Sequence, residues 1–486
     1  MLRLFTALGL VILAAVLPTF GALICVALVV IQIALMALRP LLACVPARLS
    51  MSARESADPW FSVHVATHSE PPRVVIDTLR GLLDQDWPES RYEIIVMDNN
   101  TADDALWRPV ERFCSAYPGR IRFLLRMGVS GAKAGALTIA LEQTDPRASH
   151  IVTVDADYVV TRDFLRRAAA ALHRTGADYV QFPQSYSDAT LAAPGINAEL
   201  EEYFRTKAAR ADVAEAVLLT GTLCVISRDA LTAAGGWSGS TTTEDAELGV
   251  RLCKGGYSGR FINQVVGKGL LPLSLRDLER QRYRWCSGNF QTLMTHAATI
   301  FTRTGALSLH KRLVVLSQLT AWFNLALIPA MLLGAWLLTG RADSTASTLA
   351  ACAIVLSLCD IVIRVLARGL RDGLPPGVLA RALACRIALA PQSAKATFDA
   401  LAGSRLTFVV TDKSGLKDAA ARNFSVCPWL PFLAAAVLFI VAHPTNPLIL
   451  AALGALMLPL PAAMLTFRSL RGYRQAVLLL GREAMA

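Results

Sequence analysis

The chain has 486 residues, of which 54% are hydrophobic, and it carries a formal net charge of +11. A mean hydropathy of +0.45 excludes an ordinary soluble protein. Long uncharged runs toward both ends flank a charge-rich block, a pattern that reads as one soluble domain held between membrane segments. Arginines cluster beside the apolar runs (Arg364, Arg368 and Arg371, then Arg468, Arg471 and Arg474), which suits positive-inside anchoring better than nucleic-acid binding. The ten cysteines are scattered without metal-ligand spacing, and Cys25 and Cys352 fall inside apolar runs, so neither a disulfide framework nor a zinc site is implied.

From Leu4 to Leu38 there is no charged residue. The run is too long for one span and is punctuated by Pro18 and Gly21, so it predicts two connected helices, about 20 apolar residues being enough to cross a bilayer. A cleaved signal peptide is the rival reading, helped by the lipobox-like Leu41-Leu42-Ala43-Cys44, but the apolar stretch is too long for an h-region. Four further spans are expected at Leu313 to Leu338, Ser344 to Ile363, Ser425 to Ala442 and Pro447 to Phe467, with Asp360 a departure near the end of the second. Connections holding Arg39, Arg48, Arg54, Lys311, Arg312 and the Arg364 cluster are rich in basic residues, and those at 341–343 and 443–446 are poor in them. Six spans with both termini and the central block in the cytoplasm satisfy this asymmetry. Residues 376–402, with Arg381, Arg386, Lys395 and Asp399 in an Ala/Leu-rich background broken by Pro391, suit amphipathic helices lying on the membrane, as does the stretch around 273–300. The expected division is a helix pair over 1–54, a cytoplasmic domain over 55–300, membrane and interfacial helices over 301–467, and a basic tail over 468–486.

Residues 59 to about 270 alternate strand-like and helix-like runs, which predicts an α/β sheet. A strand at 61–66 is followed by a helical period over 73–85, with Val75, Leu79, Leu82 and Leu83 on the apolar side. A second strand over 92–97 ends on Asp98-Asn99-Asn100, and a third over 150–154 ends on Asp155-Ala156-Asp157. Ligands of open α/β sheets bind at the carboxyl ends of strands, so these acidic ends point at one crevice.

Each motif also has an ordinary reading. Asp155-Ala-Asp157 can hold a hard divalent cation that neutralises a diphosphate, although such pairs occur by chance in many loops. Thr243-Glu244-Asp245 begins a helix, where acidic residues are common caps, or else supplies Asp245 as a general base. Gln281 and Arg284 share one helical face beside Trp285. Arg284 suits a leaving diphosphate and Trp285 a sugar ring, while membrane-surface anchoring uses the same residue types. Gly131-Ala-Lys133-Ala-Gly135 is a turn into a helix or a phosphate contact.

Taken in order, Asp98, Asp155/Asp157, Thr243-Glu-Asp245 and Gln281-x-x-Arg284-Trp285 resemble the inverting family-2 glycosyltransferases, specifically the membrane-embedded synthases of cellulose, curdlan, mixed-linkage glucan, hyaluronan and chitin. Phe408-Val-Val-Thr411-Asp-Lys413 is similar to the gating loop of the cellulose synthase-like enzymes, and reads otherwise as a β-prone loop. The resemblance implies a GT-A-like α/β domain inserted between transmembrane helices. It assigns Asp98 to the nucleotide base, with Glu70 also at the nucleotide, and Lys133, Gln281 and Arg284 to the diphosphate. Asp155 and Asp157 take nucleotide and metal contacts, the metal being Mg2+ or Mn2+. Asp245 is the base. Gln181, Gln184, Gly221, Thr222, Glu244 and Trp285 belong to the acceptor side, and Phe408, Thr411 and Lys413 to a loop that moves over the loaded site. One departure is His68, where relatives usually have a tyrosine. Only about 19 residues run from Arg468 onward, so no appended cyclic-dinucleotide module is expected.

The resemblance implies an inverting, processive transferase that polymerises a UDP-sugar, with UDP-glucose favoured by analogy, into a β-linked polysaccharide and passes it across the inner membrane. Periplasmic or export subunits are candidate partners, and nucleic acid is not. Two alternatives stay open: a non-processive transferase adding one sugar to a lipid carrier, and a transporter or scaffold whose soluble domain only binds nucleotide.

Overall fold

The computed structural model describes residues 2–43, 58–186, 193–302, 307–342, 344–403 and 427–483. The expected gating residues Phe408, Thr411 and Lys413 lie outside these segments.

The central block folds around strands β1 (Phe61–Thr67), β2 (Tyr92–Asn99), β3 (Ile121–Arg126), β4 (His150–Thr153), β5 (Val159–Val160), β6 (Tyr179–Gln181), β7 (Cys224–Ser227), β8 (Gly259–Phe261) and β9 (Gly267–Lys268). Seven of them form one mixed sheet in the order β3-β2-β1-β4-β7-β6-β8, and β5 pairs with β9. The first four in that order are parallel, and β7 is antiparallel to both of its neighbours.

Parallel strands covered on both faces read as near-continuous apolar runs, and every residue of β2 is buried. Val63, Val65, Ile94 and Val96 pack with Val75, Leu79 and Leu82 of the helix Pro72–Leu83. Ile95 and Met97 point the other way, onto Ala136 and Ala140 of the helix Ala132–Glu142. Full burial of each such side chain contributes about 1.5–3 kcal/mol. From β1 the chain order runs outward in both directions, to β2 on one side and β4 on the other. That is a topological switch point, and the crevice beyond it is where such sheets take ligands.

Among the described residues, three helices are long and apolar enough to cross a bilayer, over Pro18–Leu42, Thr345–Arg371 and Pro447–Gln475. The apolar helices Phe5–Val16, Leu327–Leu338 and Trp429–Ala442 are shorter. Three of the six expected spans therefore have full length. The stretch expected as one span from Leu313 to Leu338 is two helices, Leu309–Leu319 and Leu327–Leu338, parted by non-helical residues 320–326. Asn324 accepts from the Ala326 amide at 2.9 Å within that break, a local bond that competes with the helix. The Ala321 carbonyl is taken instead by Arg364 and Arg386, each at 2.8 Å.

The N-terminal pair bends at Leu17, because Pro18 cannot donate to a carbonyl one turn back and its ring crowds it. The Ala15 carbonyl accepts from Trp336 Nε1 at 3.0 Å, which satisfies a group that hydrocarbon would leave unpaired. The bend brings Gly21 so close that a Cβ there would lie 2.5 Å from both the Ala14 carbonyl oxygen and the Trp336 ring. Gly21→Val is expected to lower stability in detergent by about 1–3 kcal/mol, the usual cost of overpacking. Gly9→Val, where nothing lies within 4 Å, should leave the unfolding midpoint in place.

Candidate active site

The carboxyl ends of β1, β2 and β4 open onto a cleft of about 340 Å³. Glu70, Lys133, Asp155, Asp157, Gln184, Gly221, Glu244, Asp245, Gln281, Arg284 and Trp285 all line it. Residues picked from seven separate stretches of sequence thus converge.

The elements explain the convergence. Gly131 takes φ +78° and turns the chain into the helix Ala132–Glu142, whose first turn carries Lys133. The Lys133 ammonium donates to the Asp155 carboxylate and, at 2.7 Å, to the Gly221 carbonyl. The Asp155 amide donates to Thr222 Oγ1 at 3.0 Å, tying the end of β4 to the same loop. The loop 220–222 is in turn fixed by Gln181. Its Nε2 donates to the Thr222 carbonyl at 2.8 Å and its Oε1 accepts from the Thr220 amide at 2.9 Å. Gln184 Nε2 donates to the Thr220 carbonyl at 2.8 Å. Asp245 stands in the first turn of the helix Glu244–Lys254, with Oδ1 accepting from the Ala246 amide at 2.8 Å. Gln281, Arg284 and Trp285 project from the helix Leu275–Thr295, capped by the Ser274 hydroxyl.

Three expected contact residues stand behind the cleft instead of lining it. Asp98 is buried, and its Oδ2 accepts from Thr67 Oγ1 at 2.9 Å across the β1–β2 register. It is Asn99 and Asn100 that reach the cleft from this strand end. Gln181 and Thr222 are fully buried, their polar atoms engaged as scaffold for the loop that carries Gly221. His68 lines the cleft, with Nδ1 2.5 Å from the Asn99 carbonyl oxygen. Tyr158, Tyr186 and Arg280 line it too, without having been singled out from sequence. The i, i+4 spacing of Arg280 and Arg284 on one helix is the signal that finds the arginine. The two tyrosines follow directly on Asp157 and Gln184-Ser185 and carry no periodic signal.

The charges shape one another. Burial pushes the Asp245 carboxyl up to about 7, with the Glu244 carboxylate adding to the rise and Lys133 and Arg284 opposing it. Burial alone would lower the Lys133 pKa, but Asp155, Glu244 and Asp245 outweigh it and hold the ammonium above the usual lysine value. A buried acid whose pKa sits near neutrality beside a firmly charged lysine is the arrangement that general acid–base chemistry needs. Among the described residues no grouping of three or more His, Cys, Asp or Glu could hold a metal by itself. Asp155 and Asp157 are nevertheless the right donors for a magnesium-like cation, which takes one or two protein carboxylates and completes its shell with water and substrate phosphate.

Residues 62–234 match the family described as Glycosyl transferase family 2, and residues 150–354 the family described as Glycosyl transferase family group 2. Across residues 62–354 the chain is a family-2 glycosyltransferase of the cellulose synthase-like kind. It is 25% identical over 285 residues to the UDP-forming cellulose synthase 1 catalytic subunit of Komagataeibacter xylinus, covering 57% of this chain and 36% of that one. It is 30% identical over 210 residues to glucomannan 4-beta-mannosyltransferase 2 of Arabidopsis thaliana, covering 42% of this chain and 39% of that one. The matched region is thus well under half the length of these relatives. Among solved structures, the mannosyltransferase PcManGT from Pyrobaculum calidifontis, in complex with GDP-Man and Mn2+, shares the fold with a TM-score of 0.52 at 18% identity, over 77% of this chain and 98% of that one.

Gly221 holds φ +82°, and a Cβ there would lie 2.7 Å from Asp245 Oδ2 and 3.2 Å from Lys133 Nζ. Gly221→Ala is expected to cost about 1–3 kcal/mol through backbone strain and displacement of both side chains. Gly119→Ala, with φ +81° but open space around it, carries only the backbone part. Thermal unfolding of the two variants separates the contributions.

Proposed function

We propose that the chain is an inverting, processive hexosyltransferase of the cytoplasmic membrane that builds a β-linked polysaccharide from a nucleotide-diphosphate sugar. The observation that carries this reading is the single cleft shared by Asp155 and Asp157, Lys133, Asp245, and Gln281-x-x-Arg284-Trp285. UDP-glucose is the favoured donor, because the cellulose synthases among the relatives are UDP-forming. GDP-mannose is the competitor, favoured by the glucomannan mannosyltransferases and by the GDP-Man complex of the structural relative.

In this reading the donor lies with its diphosphate toward Lys133, Gln281 and Arg284 and its base toward His68 and Asn99. Asp155 and Asp157 would hold a divalent cation, Mg2+ or Mn2+, which when bound offsets the charge of the leaving diphosphate. An acceptor hydroxyl, its sugar stacked on Trp285, attacks the anomeric carbon from the face opposite the diphosphate. The C–O bond to the diphosphate breaks as the new glycosidic bond forms, and Asp245 takes the hydroxyl proton. Arg284 and Lys133 stabilise the departing oxygen, and preorganised charges of this kind often contribute more to catalysis than any other single effect. The catalytic domain over 55–300 faces the cytoplasm, between a helix pair over 1–54 and the membrane and interfacial helices over 301–467. The product passes outward between these helices.

Purified protein in nanodiscs, given labelled UDP-glucose, UDP-N-acetylglucosamine or GDP-mannose with Mg2+ or Mn2+, is expected to yield high-molecular-weight product from one donor. Short, lipid-soluble product from every donor would instead identify a glycolipid transferase. Asp245→Asn is expected to lower turnover by about 10²–10⁴ while nucleotide binding persists. With its pKa at about 7, Asp245 is protonated and unable to accept a proton below that pH. Turnover should therefore fall as pH drops through 7, and the residual activity of Asp245→Asn should lack that limb. In sealed inverted vesicles, product is expected in the lumen, and product held wholly outside would remove the translocation step.

A further inference from the structure

Directly beneath Trp285 lies a cluster of buried charges that the reaction does not use. Arg282 Nη2 donates to both Glu199 oxygens, at 2.9 and 2.8 Å, and Arg386 Nη1 donates to Glu199 Oε1 at 2.8 Å. All three side chains are almost wholly buried. Burial alone would raise the Glu199 pKa, but the two guanidiniums outweigh it and hold the carboxylate ionised. Ion groups of this kind do not pay their way in stability, since well-packed apolar residues of the same volume often do as well or better. Their geometry is where a role can be sought.

That geometry is specific. The Arg282 guanidinium carbon lies 4.0 Å from the centre of the Trp322 ring, and that of Arg386 lies 4.8 Å from it. Trp322 sits in the break between the helices Leu309–Leu319 and Leu327–Leu338 and packs on Trp285, ring centroids 5.4 Å apart. Arg386 also donates to the carbonyl of the preceding residue, Ala321, at 2.8 Å. Glu199 comes from the helix Pro194–Glu202 of the catalytic domain, Arg282 from the helix that bears Trp285, and Arg386 from the helix Pro376–Ala388. One carboxylate thereby locks three elements around an indole that backs the cleft-lining one.

We propose that Glu199, Arg282 and Arg386 are positioning residues for the acceptor: through Trp322 they fix the plane of Trp285, and so set acceptor affinity and product length without touching the donor. The inference rests on the proposed reading in which Trp285 stacks on the acceptor sugar.

The test uses full-length protein in nanodiscs with a soluble β-linked oligosaccharide as acceptor, comparing Trp285→Ala, Trp322→Leu, Trp322→Phe and Arg282→Lys. Trp322→Leu keeps the ion cluster intact and so guards against loss of the fold. Arg282→Lys keeps the charge but not the planar fork that stacks and binds bidentately. Trp322→Leu and Arg282→Lys are expected to raise the acceptor KM by about tenfold or more and to shorten the product, as small misplacements of a bound reactant do. The dissociation constant for nucleoside diphosphate should stay at the wild-type value, and Trp322→Phe should restore most of the acceptor affinity. If Trp285→Ala weakens acceptor binding while Trp322→Leu and Arg282→Lys do not, the positioning role is overturned and the acceptor platform stands. If Trp285→Ala leaves the acceptor KM unchanged, the platform reading falls and this inference with it. Parallel losses of donor and acceptor binding would show a structural role only.

Discussion

Glu70, Asp155, Asp157, Glu244 and Asp245 converge on one cleft, and that much negative charge cannot be assembled out of water unless cations stand among it. Lys133 supplies the nearest one. Its ammonium joins the carboxylate at the end of β4 to the backbone of the 220–222 loop, with Asp245 directly above. The contact links the first turn of one helix, the turn that follows β4 and a glycine loop in a single knot. The rest of the site follows from it, because Gln181 and Thr222 fix that loop from behind and Gly221 leaves the room that Asp245 occupies. The same knot explains why Asp245 can sit near neutrality: burial and Glu244 raise its pKa, and the lysine keeps the rise within the range useful for proton transfer.

A second constraint acts where the catalytic domain meets the membrane. A helix over Leu313–Leu338 would have satisfied its own backbone, yet the chain breaks at 320–326 and gives the Ala321 carbonyl to two buried arginines. Asp360, inside the helix Thr345–Arg371, is paired by Arg364 at 3.0 Å and by Arg39 from the N-terminal helix pair. Charge at this depth is costly unless paired, and pairing across elements fixes how they meet. The segment Tyr203–Ala208 continues the theme as a π-helical turn, a distortion often kept where function needs it. Its Tyr203 ring stacks on Trp322 at 5.9 Å. Catalytic domain and membrane helices are thus coupled through side chains directly beneath the cleft.

Much of this was legible in the sequence, for identifiable reasons. β1, β2 and β4 are buried on both faces, so their apolar runs and acidic ends stood out without any tertiary knowledge, and the helix bearing Gln281, Arg284 and Trp285 declared itself by spacing. What could not be read was which side of each strand end faces the crevice. Asp98 and Asn99 are adjacent in sequence but point to opposite sides, so the carboxylate turns inward to Thr67 while Asn99, equally buried, and Asn100 border the cleft. Gln181 and Gln184 diverge for the same reason: the first is consumed by the backbone of a loop forty residues away, the second stays at the cleft. The break at 320–326 was hidden too, because hydropathy cannot distinguish one long helix from two short ones whose gap is filled by distant arginines.

The central claim is that glycosyl transfer takes place in this cleft by a single displacement with Asp245 as the base. The most direct measurement is the anomeric configuration of the newly formed linkage, read by NMR on product made from an isotopically labelled α-linked sugar nucleotide. A β-linkage in every newly added residue is the result predicted. An α-linkage would contradict it, because retention cannot arise from one in-line attack and would require a covalent or internal-return step for which this arrangement of Asp245, Lys133 and Arg284 offers no account.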